Sequence, residues 1–309
     1  MIENVPVIDI AELDSPASLA AIDRACREWG FFQVTGHGIE PALLRNIFEV
    51  SREFFSQPAD EKRRIRRDAD NSWGYYDKEL TKNRRDWKEI YDFGPADGAL
   101  LKPRWPGGYL RLRFEPIVRA YYANCRTLAL RLLSAMASNL GVDASCLVQG
   151  FDEAHTSFLR LNYYPRCMLA AGDERPLGVG EHTDAGALTL LLQDDQAGLE
   201  VFRHGQWYLV EPTPGALVIN VGDMIQVWSN DRYRAALHRV VTNSARDRYS
   251  VPFFLSPSYE TTYAPLPTTV TPEHPARYRA IRWREFRSLR AAGDYADIGE
   301  EVQITHYRT

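Results

Sequence analysis

Two side chains that commonly bind metals stand two positions apart in GEHTDAGALTLLL, residues 180–192: His182 and Asp184, with an apolar run after them. On an extended backbone, residues i and i+2 project from one face, so the imidazole and the carboxylate converge while Thr183 turns away. Alone the pair is ambiguous. A buried histidine can simply hydrogen-bond a carboxylate, and with seven histidines in the chain a chance His-x-Asp is no surprise.

His238, in LHRVV, supplies a possible third partner. It lies in another short β-type stretch, far enough downstream for several strands to return it beside the first pair. Two imidazoles and one carboxylate make the facial triad associated with non-haem Fe(II), which leaves coordination positions open for chemistry. A structural zinc site would want four closed ligands, often thiolates, and no cysteine is near in sequence. His37, His155 and His204 are rivals for the third position. His37 sits in a turn-like Gly-His-Gly and His204 at an expected hairpin tip, where exposure is the usual fate.

Further along, DRYSVPFF puts Arg248 and Ser250 on one strand face, continued by Pro252 and Phe254. A guanidinium beside a hydroxyl is suited to holding a carboxylate through charge-assisted bonds, although an intramolecular ion pair is the plainer use. In LNYYP, Asn162 and Tyr164 also share a face. A strand-edge amide and a core tyrosine would account for them equally.

The elements that must position these groups show as changes of period. A chain of 309 residues with 45% hydrophobic and 25% charged content is that of a soluble globular protein, long enough for one large domain or two ordinary ones. A net charge of -4 supplies no basic field, so nucleic acid is not expected as a partner. No basic-then-apolar leader opens the chain and no run approaches the ~18 apolar residues of a membrane span. No membrane association is expected. Cys26, Cys125, Cys146 and Cys167 sit far apart without a CxxC, as buried free thiols of a reducing compartment would, and a cytoplasmic location follows. From 17 to 68 the period is helical on both sides of one strand, GFFQVTGHGI. The aromatic stretch 70–110 is weakly periodic and reads as an ordered loop, and 114–140 is helical again. From 155 to 260 the rhythm is that of short strands: FLRLNYYP, ALTLLLQ, LEVFRHGQWYLVEP, ALVINVGD, MIQVWSN, HRVVTNS and RYSVPFFLSP. The tail is helical. One α+β domain is expected over 1–309, with an N-terminal region 1–110, a sandwich or barrel core 155–260, and a C-terminal helix and tail 272–309. The basic run EKRRIRR at 61–67 reads as a solvated helix end.

Taken in order, HTD, LHRVV and RYS resemble the 2-oxoglutarate/Fe(II)-dependent dioxygenases, in the branch that includes isopenicillin N synthase. The resemblance spans almost the whole chain: VPVIDIAEL, GFFQVTGHGI and DWKEIYDFG look like that branch's N-terminal region, and LNYYP, HTDAGALTLLLQD, GLEVF, INVGD and HRVV like its catalytic core. It implies a distorted jelly roll, or double-stranded β-helix, flanked by helices. It implies Fe(II) on His182, Asp184 and His238, and 2-oxoglutarate with its distal carboxylate on Arg248, Ser250 and Tyr164 and Asn162 nearer the iron. O2 is the second co-substrate and ascorbate a candidate reductant. The implied reaction couples decarboxylation of 2-oxoglutarate to succinate with oxidation of a small organic molecule, hydroxylation being the default over desaturation or ring closure. In that branch the substrate lies under the N-terminal segments, so Trp73, Tyr75, Tyr76 and Tyr91 form a candidate lid with Phe254, and an aromatic or mostly apolar substrate is expected. Core packing explains such aromatics at least as well. Alternatives are an oxidase like isopenicillin N synthase or aminocyclopropane-carboxylate oxidase that uses no 2-oxoglutarate, an ethylene-forming variant, and a non-catalytic metal-binding jelly roll. The N-x-Y pair and DWKE favour 2-oxoglutarate; the RxS pair does not discriminate. Oligomeric state, physiological substrate and pathway stay open.

Overall fold

The computed structural model describes residues 4–68, 70–95, 102–168, 175–293, 296–297 and 299–309. Two sheets built from strongly apolar strands pack face to face. The larger has eight strands in the order Val7–Asp9, Phe31–Thr35, Leu217–Val221, Leu188–Gln193, Arg248–Leu255, Phe158–Tyr164, Glu89–Phe93 and Gly74–Tyr76. The smaller has four: Gln206–Leu209, Leu199–Arg203, His238–Val241 and Leu177–His182. All pairings within these two sheets are antiparallel except that of Val7–Asp9 with Phe31–Thr35. Phe31, Tyr164 and Val218 of the larger sheet meet Val179, Leu199 and Val240 of the smaller in one apolar cluster, the jelly-roll interior.

Behind the larger sheet lies the helix Gly108–Asn139, whose buried residues Phe114, Val118, Tyr121, Cys125, Leu128 and Leu132 recur at alternating steps of four and three. That stripe faces the helix Pro41–Phe55 and the strands Leu188–Gln193 and Arg248–Leu255. The helix begins earlier than the sequence pattern predicts. Pro116 suits a first turn, but here it sits well inside the helix, and the carbonyl it cannot serve belongs to exposed Leu112, where water can bond it.

Three other expectations are corrected. MIQVWSN is not a strand: Asp223–Trp228 is a helix with all six residues buried, so no alternation was there to separate the two readings. Residues 70–110 are not simply a packed loop, because Gly74–Tyr76 and Glu89–Phe93 extend the main sheet from Phe158–Tyr164 outward. The basic run is only partly solvated: Lys62 is buried and donates to Glu89 at 2.5 Å, and Arg67 is buried against Asp92 at 2.8 Å. Of the four free cysteines, Cys26, Cys125 and Cys167 are buried and Cys146 is exposed. Among the described residues no helix is long and apolar enough to cross a membrane.

Candidate active site

His182 is the last residue of Leu177–His182, and Asp184 lies in the loop that leads to Leu188–Gln193. Strand alternation therefore ends at His182. The loop nevertheless returns Asp184 to the same point, and His238, which opens His238–Val241, is paired directly opposite His182. Their ring centroids are 4.2 Å apart. The Nε2 atoms of His182 and His238 lie 3.5 and 3.7 Å from one oxygen, Asp184 Oδ1. These separations exceed the 2.7–3.2 Å of an N–H···O bond. One ligand atom from each residue falls within 4.8 Å of the others, spacing that admits a metal ion.

The protonation states also fit a metal. His182 Nδ1 donates to the Gly180 carbonyl at 2.8 Å, and His238 Nδ1 to the Ala236 carbonyl at 3.0 Å. A proton held on Nδ1 leaves Nε2, the nitrogen on the Asp184 side, as the metal-binding atom of a neutral imidazole. Burial, reinforced by His182, pushes His238 down to about 4, so its imidazole is neutral. Burial opposes ionisation of Asp184, but His238, His182 and the Thr189 hydroxyl outweigh it and hold the carboxyl well below its usual range.

Two residues that sequence reasoning missed fix the carboxylate. Asn220 Nδ2 donates to Asp184 Oδ2 at 2.7 Å, and the Thr189 hydroxyl donates to the same oxygen. Thr189 and Asn220 are direct cross-strand partners, both buried. Their signal was available: each is a polar residue inside a run of buried apolar ones. The ligand loop itself is held through its backbone. Asp223 N–H donates to the Asp184 carbonyl at 2.7 Å, and Arg290 donates to the Thr183 carbonyl at 2.7 Å. Position 222 must be glycine for this, since a Cβ there would lie 2.1 Å from the Gly186 oxygen.

The same cavity contains the second predicted group. Arg248 stands opposite Tyr164, and Ser250 opposite Asn162, across the pair Arg248–Leu255 and Phe158–Tyr164. Buried Arg248 is anchored by Nε to the Gln196 carbonyl at 3.1 Å and by Nη2 to Gln193 Oε1 at 3.0 Å. Among the described residues its Nη1 is buried without a hydrogen-bond partner, and so is Asn162 Oδ1. An intramolecular ion pair is thus not its use among the described residues. Leaving such a donor unsatisfied costs about 1–3 kcal/mol, which a bound carboxylate would offset. Phe31, Leu191, Leu199, Pro252 and Phe254 supply apolar walls.

Phe254 lines the cavity that holds His182, Asp184 and His238, and Trp73 lines an adjoining one. Tyr75 and Tyr91 line neither. Both are core residues, 2% and 0% exposed, with Tyr75 donating to Glu89 at 2.9 Å and Tyr91 to the Arg104 carbonyl at 2.8 Å. Their strands belong to the main sheet, which turns these rings against Phe54 rather than toward a ligand. Tyr76 lies against Arg67, 4.2 Å from the guanidinium carbon to the ring centre. The rival histidines are elsewhere: His37 bonds the Gly215 carbonyl at 2.8 Å, His155 accepts from Ser157 N–H at 3.2 Å, and His204 sits at a turn with φ 49°. Lys88, from DWKE, borders the metal cavity and is buried between Glu79 at 2.7 Å and Asp86 at 3.1 Å. Arg67 and Arg160 bridge Glu79 and Asp92 to complete the network.

Comparison with known proteins agrees with this geometry. Residues 155–257 match the family model of the 2OG-Fe(II) oxygenase superfamily, and residues 5–107 match that of the non-haem dioxygenase in morphine synthesis N-terminal region. The flavanone 3-dioxygenase 2 of Oryza sativa subsp. japonica is 39% identical over 293 residues, covering 92% of this chain and 82% of the relative. Gibberellin 20 oxidase 2 of Oryza sativa subsp. indica is 38% identical, covering 91% and 74%. Among solved structures, JOX2 in complex with 2OG, Fe and JA superposes with a TM-score of 0.86 at 30% identity, covering 99% of this chain and 90% of that one. A full-length Neurospora crassa protein solved in complex with alpha-KG and thymine gives 0.84 at 26% identity, covering 94% and 97%. The chain belongs to the 2OG-Fe(II) oxygenase superfamily and is a 2-oxoglutarate-dependent non-haem iron dioxygenase, coupling decarboxylation of that co-substrate to oxidation of a small organic molecule.

Proposed function

We propose that His182, Asp184 and His238 hold the Fe(II), that Arg248, Ser250 and Tyr164 hold the distal carboxylate of 2-oxoglutarate with Asn162 nearer the metal, and that the usual outcome is hydroxylation. The observation that carries this reading is the buried, unpartnered Nη1 of Arg248 in the same cavity as the triad. With both bound, Fe(II) and 2-oxoglutarate supply the oxygen-activation chemistry.

The residues of the chain supply binding and orientation. Asn220 and Thr189 engage Asp184 Oδ2 and so aim Oδ1 at the metal position. Gly180 and Ala236 carbonyls keep the protons of His182 and His238 on Nδ1, away from the metal. Gln193 and the Gln196 carbonyl hold the Arg248 guanidinium so that its remaining N–H groups meet the co-substrate. Leu191, Pro252 and Phe254 exclude water from the reacting region. Relatives whose names specify flavanone and gibberellin, and a neighbour solved with thymine, support a cyclic organic substrate, and the apolar walls of Phe31, Leu191 and Phe254 favour a largely apolar one. Membership of the isopenicillin N synthase-like branch and a cytoplasmic location belong to the same reading, the latter supported by three buried free thiols.

The test is anaerobic titration of the Fe(II)-loaded protein with 2-oxoglutarate, followed by oxygen and a succinate assay. A charge-transfer absorption on titration and succinate after oxygen are expected. Absence of both sinks the reading, and retention of Fe(II) by Asp184→Ala at wild-type affinity sinks the ligand assignment.

A further inference from the structure

Beyond Phe254 a second cavity of about 230 Å³ opens. Strand register orders the way to it. On the face toward the metal, Arg248 stands opposite Tyr164, Ser250 opposite Asn162 and Phe254 opposite Phe158, with Pro252 and Arg160 between. At about 3.3 Å per residue the phenylalanine row lies about 20 Å from the Arg248 row. Phe158 and Phe254 stack with centroids 4.5 Å apart, and Arg160 borders both cavities, so the two adjoin at this row.

The outer cavity combines aromatic walls with arginines. Trp73, Phe158 and Tyr259 form the walls, with Trp73 and Phe158 centroids 6.1 Å apart. Three of its four arginines are matched by acids: Arg67 and Arg160 by Asp92 and Glu79, and Arg284 by Glu260. Arg287, one turn along the helix Trp283–Gly293 from Arg284, is different. It is half-buried over Phe158, 5.9 Å from guanidinium carbon to ring centre, and has no ion pair or hydrogen bond among the described residues. The remaining acid of the lining, Glu153, is exposed at the rim.

We propose that this outer cavity admits the substrate and that Arg287 selects it: a small monocarboxylic acid with an aromatic or alicyclic body. The inference rests on the oxygenase function proposed above. The carboxylate meets Arg287, the ring lies against Trp73 and Phe158, and the carbon to be oxidised points past Phe254 toward the metal. One unmatched guanidinium in a cavity also lined by Glu153 and Glu260 suits a monoanion better than a phosphate dianion.

Succinate formation by the Fe(II)-loaded enzyme with 2-oxoglutarate is measured with phenylacetate, phenylpropanoate and cyclohexylacetate, each against its own carboxamide. At least one acid should stimulate succinate release about tenfold or more over its carboxamide, the size of one charge-assisted hydrogen bond. Arg287→Ala should bring that ratio to within about threefold of unity through a raised KM for the acid, and Arg287→Lys, which keeps the charge, should retain most of the preference. A general loss of folding would not alter the ratio selectively. Equal stimulation by acids and carboxamides, no stimulation by any probe, or an unchanged preference in Arg287→Ala overturns the proposal. Wild-type succinate release without any probe, with the charge-transfer absorption on 2-oxoglutarate titration, tests the oxygenase reading separately: absence of both sinks that reading, whereas their presence without acid preference sinks only the acid-selecting cavity.

Discussion

Replacing Arg248 with alanine removes the buried guanidinium to which the distal carboxylate of the co-substrate is assigned. Two of its nitrogens are committed to Gln196 and Gln193 at 3.1 and 3.0 Å, and the third is buried without a partner among the described residues. The guanidinium is therefore held in place before any ligand arrives, and little ordering cost offsets the bond it makes. Truncating one side of a buried, hydrogen-bonded charge pair costs about 2–5 kcal/mol. At about 1.4 kcal/mol per decade, the 2-oxoglutarate Kd should rise by between about thirtyfold and a few thousandfold. Arg248→Lys keeps the charge but loses both anchoring bonds and the fork, so it should fall between wild type and alanine. Anaerobic titration of Fe(II)-loaded protein measures this, with Fe(II) affinity determined in parallel. Fe(II) affinity should stay within about threefold, because the guanidinium touches none of the three proposed ligands. A 2-oxoglutarate Kd that moves less than about threefold, or equal losses of metal and co-substrate, would refute the assignment.

Other outcomes follow from particular contacts. Asn220→Ala removes the 2.7 Å bond to Asp184 and should weaken Fe(II) binding by about 10–100-fold in a metal titration, the usual cost of losing such a support. Tyr91→Phe deletes the 2.8 Å bond to the Arg104 carbonyl and should lower unfolding free energy by about 1 kcal/mol in urea while leaving substrate KM unchanged; a raised KM would restore Tyr91 to the lid. Arg67→Met leaves Asp92 and Glu79 partly unmatched in the interior and should cost about 3–5 kcal/mol by the same measurement. Burial pushes His155 and His238 down to about 4, below the ordinary 6.5, so between those values the unfolded chain binds more protons. Metal-free protein should therefore be fully stable above about pH 6.5 and lose on the order of a few kcal/mol as pH falls toward 4. Asp223, raised to about 6 by burial, works the other way below that pH and blunts the loss. Urea unfolding across this range checks the slope, and a flat profile would contradict the buried neutral imidazoles.

The chemistry was more legible than its support. Asn162 with Tyr164 and Arg248 with Ser250 stand two residues apart on strand faces, and the register of Arg248–Leu255 with Phe158–Tyr164 brings these four predicted residues into one patch; His182 and Asp184 have the same spacing, but a loop rather than a strand face returns the carboxylate beside His182 and His238. Thr189 and Asn220 were harder to see because their partner, Asp184, is reached only through sheet pairing. Aromatic richness misled at Tyr75 and Tyr91, since a ring in a core and a ring in a binding site have the same local sequence. Lys62 and Arg67 were placed in solvent for a related reason: the carboxylates that draw them inside, Glu89 and Asp92, lie a strand away. In MIQVWSN, complete burial erased the periodicity that distinguishes helix from strand. Information about pairing across the fold is what a single local pattern lacks.

An anaerobic crystal structure of the complex with Fe(II) and 2-oxoglutarate should show one metal coordinated by His182 Nε2, His238 Nε2 and Asp184 Oδ1, with the distal carboxylate of 2-oxoglutarate on Arg248 Nη1 and the Ser250 hydroxyl. A metal bound away from these three residues, or a co-substrate whose carboxylate leaves Arg248 Nη1 unbonded, would contradict it.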